Sequence, residues 1–157
     1  MADETQATQP IDPGVRIGHA HLKVSDLERS LAFYCGVLGF DLMQRLPQMA
    51  FLSAGGYHHH LALNTWESRG GAPPPRGTTG LYHVAILYPS RAALGDALRR
   101  LRDAGIYLHD PDGNGLELYR DRPKEEWPRD PQGRLTMISE PVDLEDLLRE
   151  GARGGGR

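Results

Sequence analysis

Residues 15–40 read VRIGHAHLKVSDLERSLAFYCGVLGF, and the fold is decided within them. Residues 15–24 alternate between two sets. Gly18, Ala20, Leu22 and Val24 share one face, and Ile17, His19, His21 and Lys23 share the other. That two-residue period predicts a strand packed on its small, apolar side and presenting imidazoles on the opposite side. Ser25-Asp26-Leu27-Glu28 then forms a Ser-x-x-Glu capping box, which opens a helix carrying Leu27, Leu31, Tyr34 and Leu38 and stopping at Gly39. Short β-like runs at 40–46, 49–53 and 57–66 follow, separated by Pro47 and by Gly55-Gly56. The unit is β-α-β-β-β over residues 15–66.

Beyond a Gly/Pro-rich connector at 67–79 the pattern restarts. A strand is predicted at 81–88, with Ser90 as N-cap. A helix over 93–104 follows, with Leu94, Leu98 and Leu101 inward and Gly105 ending it. Short strands at 106–108 and 116–119 flank the turn Asp110-Pro111-Asp112-Gly113-Asn114-Gly115. Ile17-Gly18-His19-Ala20 lies over Leu81-Tyr82-His83-Val84 at an offset of 64, and His60-Leu61-Ala62-Leu63 lies over Gly115-Leu116-Glu117-Leu118. The chain therefore reads as α+β, with two tandem βαβββ modules, the second over 80–122. Neither has core enough to stand alone, so their sheets are expected to pair into a curved, half-open mixed sheet around a cleft.

The second copy is short. His19 precedes Ala62 by 43 residues, whereas His83 precedes Glu117 by 34, a loss of nine placed just after Gly105. Losing one strand would reverse the next, so either Glu117 arrives pointing the wrong way or residues of the helix unwind to cross the sheet. A polar extension at 123–157 completes the chain, with an amphipathic turn or two at 144–148 and an end expected to be disordered.

Composition narrows the function classes. The 157 residues carry 18 Lys+Arg against 21 Asp+Glu, a net charge of -3, with one Cys and seven His. No basic footprint for nucleic acid or an anionic membrane is present, and no apolar run approaches a bilayer span. Cys35 alone cannot form an internal disulfide, which fits a reducing cytoplasm. The acidic, polar residues 1–14 suit a disordered leader and not a signal peptide.

Equivalent positions in a repeat point at equivalent places, so His19 and His83 are expected to face each other across the cleft, with Glu117 on the strand beside His83. Two neutral imidazoles and a carboxylate on rigid strands make a facial triad for Fe(II), Mn(II) or Zn(II). The competing reading is that both are strand histidines satisfied by hydrogen bonds.

These stretches, together with DPDGNGLELY at 110–119, resemble the vicinal oxygen chelate superfamily of glyoxalases, fosfomycin and bleomycin resistance proteins and extradiol catechol dioxygenases. The resemblance covers about residues 15–127 and implies His19, His83 and Glu117 as ligands of a divalent metal. A narrower similarity points to the catechol 2,3-dioxygenase branch. Tyr107 lies ten residues before Glu117 within Ile106-Tyr107-Leu108-His109-Asp110-Pro111-Asp112-Gly113, and His59 lies three before Ala62. That branch implies Fe(II), less often Mn(II), a catechol-like substrate and O2, with His59 as acid/base and Tyr107 donating a hydrogen bond to the substrate. It also implies a homodimer. A glyoxalase-type lyase or isomerase, and a drug-binding resistance protein needing no metal, are the alternatives.

Overall fold

A computed structural model describes residues 10–105, 109–137 and 141–154. The fold is α+β. In chain order the elements are β1 (Ala20–Lys23), α1 (Leu27–Leu31), β2 (Asp41–Leu46), β3 (Met49–Ser53), β4 (Leu61–Asn64), β5 (His83–Leu87), α2 (Arg91–Asp103), β6 (Gly115–Tyr119) and α3 (Leu144–Gly154). A π-helical stretch, Ala32–Val37, continues α1, and a 3-10 turn, Lys124–Glu126, follows β6.

The first module is a four-stranded mixed sheet in the order β1-β4-β3-β2, with β1 parallel to β4 and the other pairs antiparallel. β1 is shorter than its alternation suggests, because its partner β4 begins only at Leu61 and residues before Ala20 have no strand to pair with. The π-helical stretch carries Phe33 and Tyr34, both buried in the core. Asp26, and not Ser25, caps α1, its carboxylate accepting from the Arg29 N–H at 2.9 Å. Ser25 is engaged elsewhere.

The second module is a two-stranded parallel sheet, β5-α2-β6. Its register answers the question that the deletion posed. In the first module His21 pairs with Ala62, and in the second Ala85 pairs with Glu117, positions related by the same repeat. The first pair is 41 residues apart and the second 32, nine fewer. Among the described residues no strand lies between α2 and β6, and the sequence-predicted strand at 106–108 lies outside them. Among the described residues the β2–β3 hairpin has no counterpart, and Glu117 arrives parallel to β5 without α2 unwinding.

The two sheets are not hydrogen-bonded to each other among the described residues; the modules share a core instead. Leu101 and Leu116 pack with Leu22, Leu27, Tyr34 and Leu63. A polar clasp reinforces the joint. The Tyr34 hydroxyl donates to Asp110 Oδ2 at 2.9 Å, while Ser25 Oγ and Arg29 Nη2 donate to Asp112 Oδ1 at 2.5 and 2.7 Å. Burial, followed by the charge of Asp110, raises the Tyr34 hydroxyl far above its ordinary pKa, so it remains a donor.

α3 runs through Gly154, four residues into the stretch read as a disordered tail, and crosses α2 at Gly95 and Gly151. A Cβ on Gly95 would overlap the Leu147 carbonyl oxygen. Arg91 closes the crossing with ion pairs to Asp146 and Glu150, at 2.9 and 2.8 Å.

Candidate metal centre

Along β5, Val84 and Ile86 pack on the shared core; along β6, Leu116 and Leu118 do the same. Strand alternation therefore sends His83, Ala85 and Leu87, with Glu117 and Tyr119, to the outward face. There His83 Nε2 lies 3.1 Å from Glu117 Oε2, and both side chains are solvent-accessible. This is an ordinary imidazole–carboxylate contact, and the same two side chains would serve as neighbouring ligands of a divalent ion.

His19 does not join them. It precedes β1 in the other sheet, its ring 4.4 Å from that of His59. Among the described residues, no three His, Cys, Asp or Glu side chains converge to hold an ion. One copy of the chain brings together two of the three sequence-predicted ligands and does not complete a facial triad. Tyr107 lies outside the described residues.

His59 is half-buried between His19 and Phe51, with ring centroids 4.4 and 4.9 Å away. Its Nδ1 is 2.7 Å from Nδ1 of His58. Such a contact is a hydrogen bond only when one ring donates and the other accepts, so at least one of the two is neutral. Burial, then the neighbouring imidazoles of His19 and His58, lower the pKa of His59 below its ordinary value.

Two further histidines, His60 and His21, have structural partners. His60 Nδ1 accepts from the Ala54 N–H at 3.3 Å and lies 3.2 Å from Ser53 Oγ, which holds the turn into β4. His21 Nε2 lies 2.9 Å from Asn64 Nδ2, its ring edge-on to Trp66.

The segment after β6, a polar extension by its sequence, carries a further feature. Residues 119–137 turn back so that Trp127, Leu135 and Met137 wall a groove beginning at Tyr119, the next outward residue after Glu117. One signal was available: Asp130-Pro131-Gln132-Gly133 repeats the Asp-Pro-x-Gly of 110–113. Both aspartates accept two backbone N–H groups on Oδ1, and the two turns have the same construction.

Comparison with known proteins matches this architecture. The chain is 44% identical over 153 residues to the catechol-2,3-dioxygenase of Bacillus subtilis (strain 168), which takes in 89% of this chain and 53% of that protein. It is 34% identical over 122 residues to biphenyl-2,3-diol 1,2-dioxygenase 3 of Rhodococcus globerulus, covering 68% of this chain and 63% of that one. The chain thus spans between about half and two-thirds of these relatives. In fold it is similar to the glyoxylase/bleomycin resistance protein/dioxygenase domain from Frankia sp. EAN1pec, with a TM-score of 0.58 and 22% identity over 70% of this chain and 94% of that one. A family model matches residues 16–138, which include both modules, the His83–Glu117 pair and the groove behind it, and the chain belongs to the glyoxalase/bleomycin resistance protein/dioxygenase superfamily.

Proposed function

We propose that the chain acts in metal-dependent extradiol cleavage of a catechol-like diol by O2, with His83 and Glu117 as two of the metal ligands. The observation that carries this reading is their 3.1 Å approach on adjacent parallel strands, in a chain resembling diol dioxygenases over most of its length. Fe(II) is the proposed ion, with Mn(II) or Zn(II) as alternatives. When bound, such an ion supplies a shared anchor for the diol oxygens and O2, which makes their encounter intramolecular. His59, beside His19, is the proposed acid/base that takes the substrate proton. Tyr107 is the proposed hydrogen-bond donor to a substrate oxygen.

The third ligand, His19, is proposed to come from a second copy, in a homodimer that sets the first module of one chain against the second module of the other. β1 is an edge strand of its sheet, and the outward face of β5 leaves Leu87 53% exposed beside the pair. Among the described residues no helix is long and apolar enough to cross a membrane. The single cysteine fits the reducing cytoplasm proposed as the location.

The test is complementation. His19→Ala and Glu117→Ala proteins are purified without chelator, alone and as a refolded mixture, and their metal content is measured. Each alone is expected to lose metal, and the mixture to regain it through heterodimers that keep one intact site. Wild-type protein loaded with Fe(II) under nitrogen is expected to yield a yellow ring-opened product from catechol on admission of air. Loaded protein inert across a panel of catechols would sink the assignment. The incomplete triad within one copy favours a second reading, a small-molecule binder independent of metal. Apo protein binding an aromatic ligand as tightly as loaded protein selects it.

A further inference from the structure

The groove behind β6 has the size, lining and charge of a binding site. It encloses about 450 Å³ between the end of β6 and a hairpin closed by the Arg129–Leu135 bridge. That volume is in the range that holds a small organic ligand. Its walls are largely apolar, with Tyr119, Trp127, Leu135 and Met137 among the lining residues. Leu135 and Met137 are 52% and 97% exposed, apolar surface that the chain itself leaves uncovered. Trp127 donates its Nε1–H to the Arg122 carbonyl oxygen at 3.0 Å, which fixes the indole with its one polar atom already used.

At the rim stands Arg120, half-buried and without a hydrogen bond or ion pair among the described residues. Asp121 also lines the rim but makes no ion pair with it, and Arg122 adds a second positive charge there. A partly desolvated guanidinium beside an apolar trough is complementary to a carboxylate borne on an apolar body. The groove is also placed to act with the metal pair. Tyr119 follows Glu117 on the same face of β6, about 7 Å further along the strand. A diol anchored at His83 and Glu117 can extend a side arm along that face into the groove.

We propose that the groove binds the side arm of an aromatic diol that ends in a carboxylate, with the carboxylate on Arg120 and the arm against Trp127 and Met137. This narrows the substrate class and rests on the dioxygenase reading above.

The probes are 3-phenylpropionate and its uncharged amide, 3-phenylpropanamide, neither of which can chelate a metal as a diol does. In the 157-residue chain carrying Trp66→Phe, Trp127 is the sole indole, and its fluorescence reports binding. The acid is expected to give a saturable change and to bind about tenfold more tightly than the amide. Arg120→Gln is expected to abolish that preference, Arg120→Lys to restore part of it, and Leu135→Glu to weaken both ligands. Equal affinity for acid and amide, an unchanged preference in Arg120→Gln, or no saturable signal overturns the proposal. The two readings fail separately. Acid binding in a protein that retains no metal overturns the dioxygenase reading, and metal retention with catechol cleavage but no acid binding overturns the groove.

Discussion

Tyr34→Phe tests the clasp that sets the second module on the first, and its size follows from the contacts. Tyr34 is fully buried and its hydroxyl donates to Asp110 Oδ2 at 2.9 Å. Asp110, itself 5% exposed, also accepts the N–H groups of Asp112 and Asn114 on Oδ1 and the Asn114 amide on Oδ2. Removing the hydroxyl leaves no cavity of consequence and no orphaned acceptor. The loss is one hydrogen bond to a charged group, about 1.5–2 kcal/mol, at the low end of the range because Oδ2 keeps a partner. Asp110→Ala removes more. It strands a buried hydroxyl and three donors of the turn, and about 3–5 kcal/mol is expected. Urea unfolding at fixed protein concentration measures both, with the slope unchanged if only stability has moved. The double mutant should be less destabilised than the sum of the singles by about 1.5 kcal/mol, the direct coupling of the pair. Because the same turn delivers the chain into β6, Asp110→Ala is also expected to lower metal retention through Glu117. A Tyr34→Phe protein within about 0.5 kcal/mol of wild type, with zero coupling, would show that the clasp does not hold the modules together.

Other consequences are as direct. His83→Ala and Glu117→Ala should each reduce metal content at least tenfold with little change in unfolding midpoint, because both side chains are solvent-accessible and outside the shared core; a fall in stability with metal content intact would reassign the pair to a structural role. Gly95→Ala drives a methyl group into the Leu147 carbonyl at the α2–α3 crossing and should cost about 1–3 kcal/mol. Hydrogen exchange should then show lost protection across α3 before any loss in β1 or β4. Burial, then the nearby charge of Asp41, pushes the Cys35 thiol above its ordinary pKa. Its alkylation at pH 8 should therefore be slower than that of a free cysteine and still be rising at pH 9, and a rate that levels off below pH 8.5 would contradict the assignment.

The first module was legible because its signals are local. Alternation through β1, the stop at Gly39 and the turn at Gly55-Gly56 depend on neighbours a few residues away. Errors arose where a distant residue decides. Ser25 and Asp26 are both good caps, and Asp26 serves because Asp112, 87 residues beyond Ser25, takes the serine hydroxyl. Tyr34, a helix residue by its spacing, reaches Asp110 in the second module, 76 residues further on. In the candidate site, His83 and Glu117, the strand-borne residues that the repeat singles out, lie together, whereas the groove of the extension shows no periodicity until it is folded. Its apolar residues are single side chains scattered among polar ones, held in place by a turn that mimics the one before β6.

The deletion shows how a wrong premise about topology can mislead a correct count. Counted as one strand, the nine-residue deficit reverses Glu117 unless residues of the helix unwind to cross the sheet. In the first module, however, the helix carries the chain across the sheet to the far edge, and β2 and β3 bring it back antiparallel, so that β4 lies parallel to β1. β4 and β1 agree in direction because an even number of strands separates them along the chain. Removing the β2–β3 hairpin preserves that parity. α2 then joins β5 to β6 as one crossover between adjacent parallel strands, the simplest connection available to such a pair. The register is the same as before the loss, with Glu117 opposite Ala85 as Ala62 is opposite His21. What the second sheet lacks is width. With two strands in place of four it has no β2–β3 pair with which to curve round a cleft, and His83 and Glu117 lie on an open face. A ligand held there must find its other walls elsewhere. The extension after β6 supplies one, and the proposed partner, with its own His19, supplies the other.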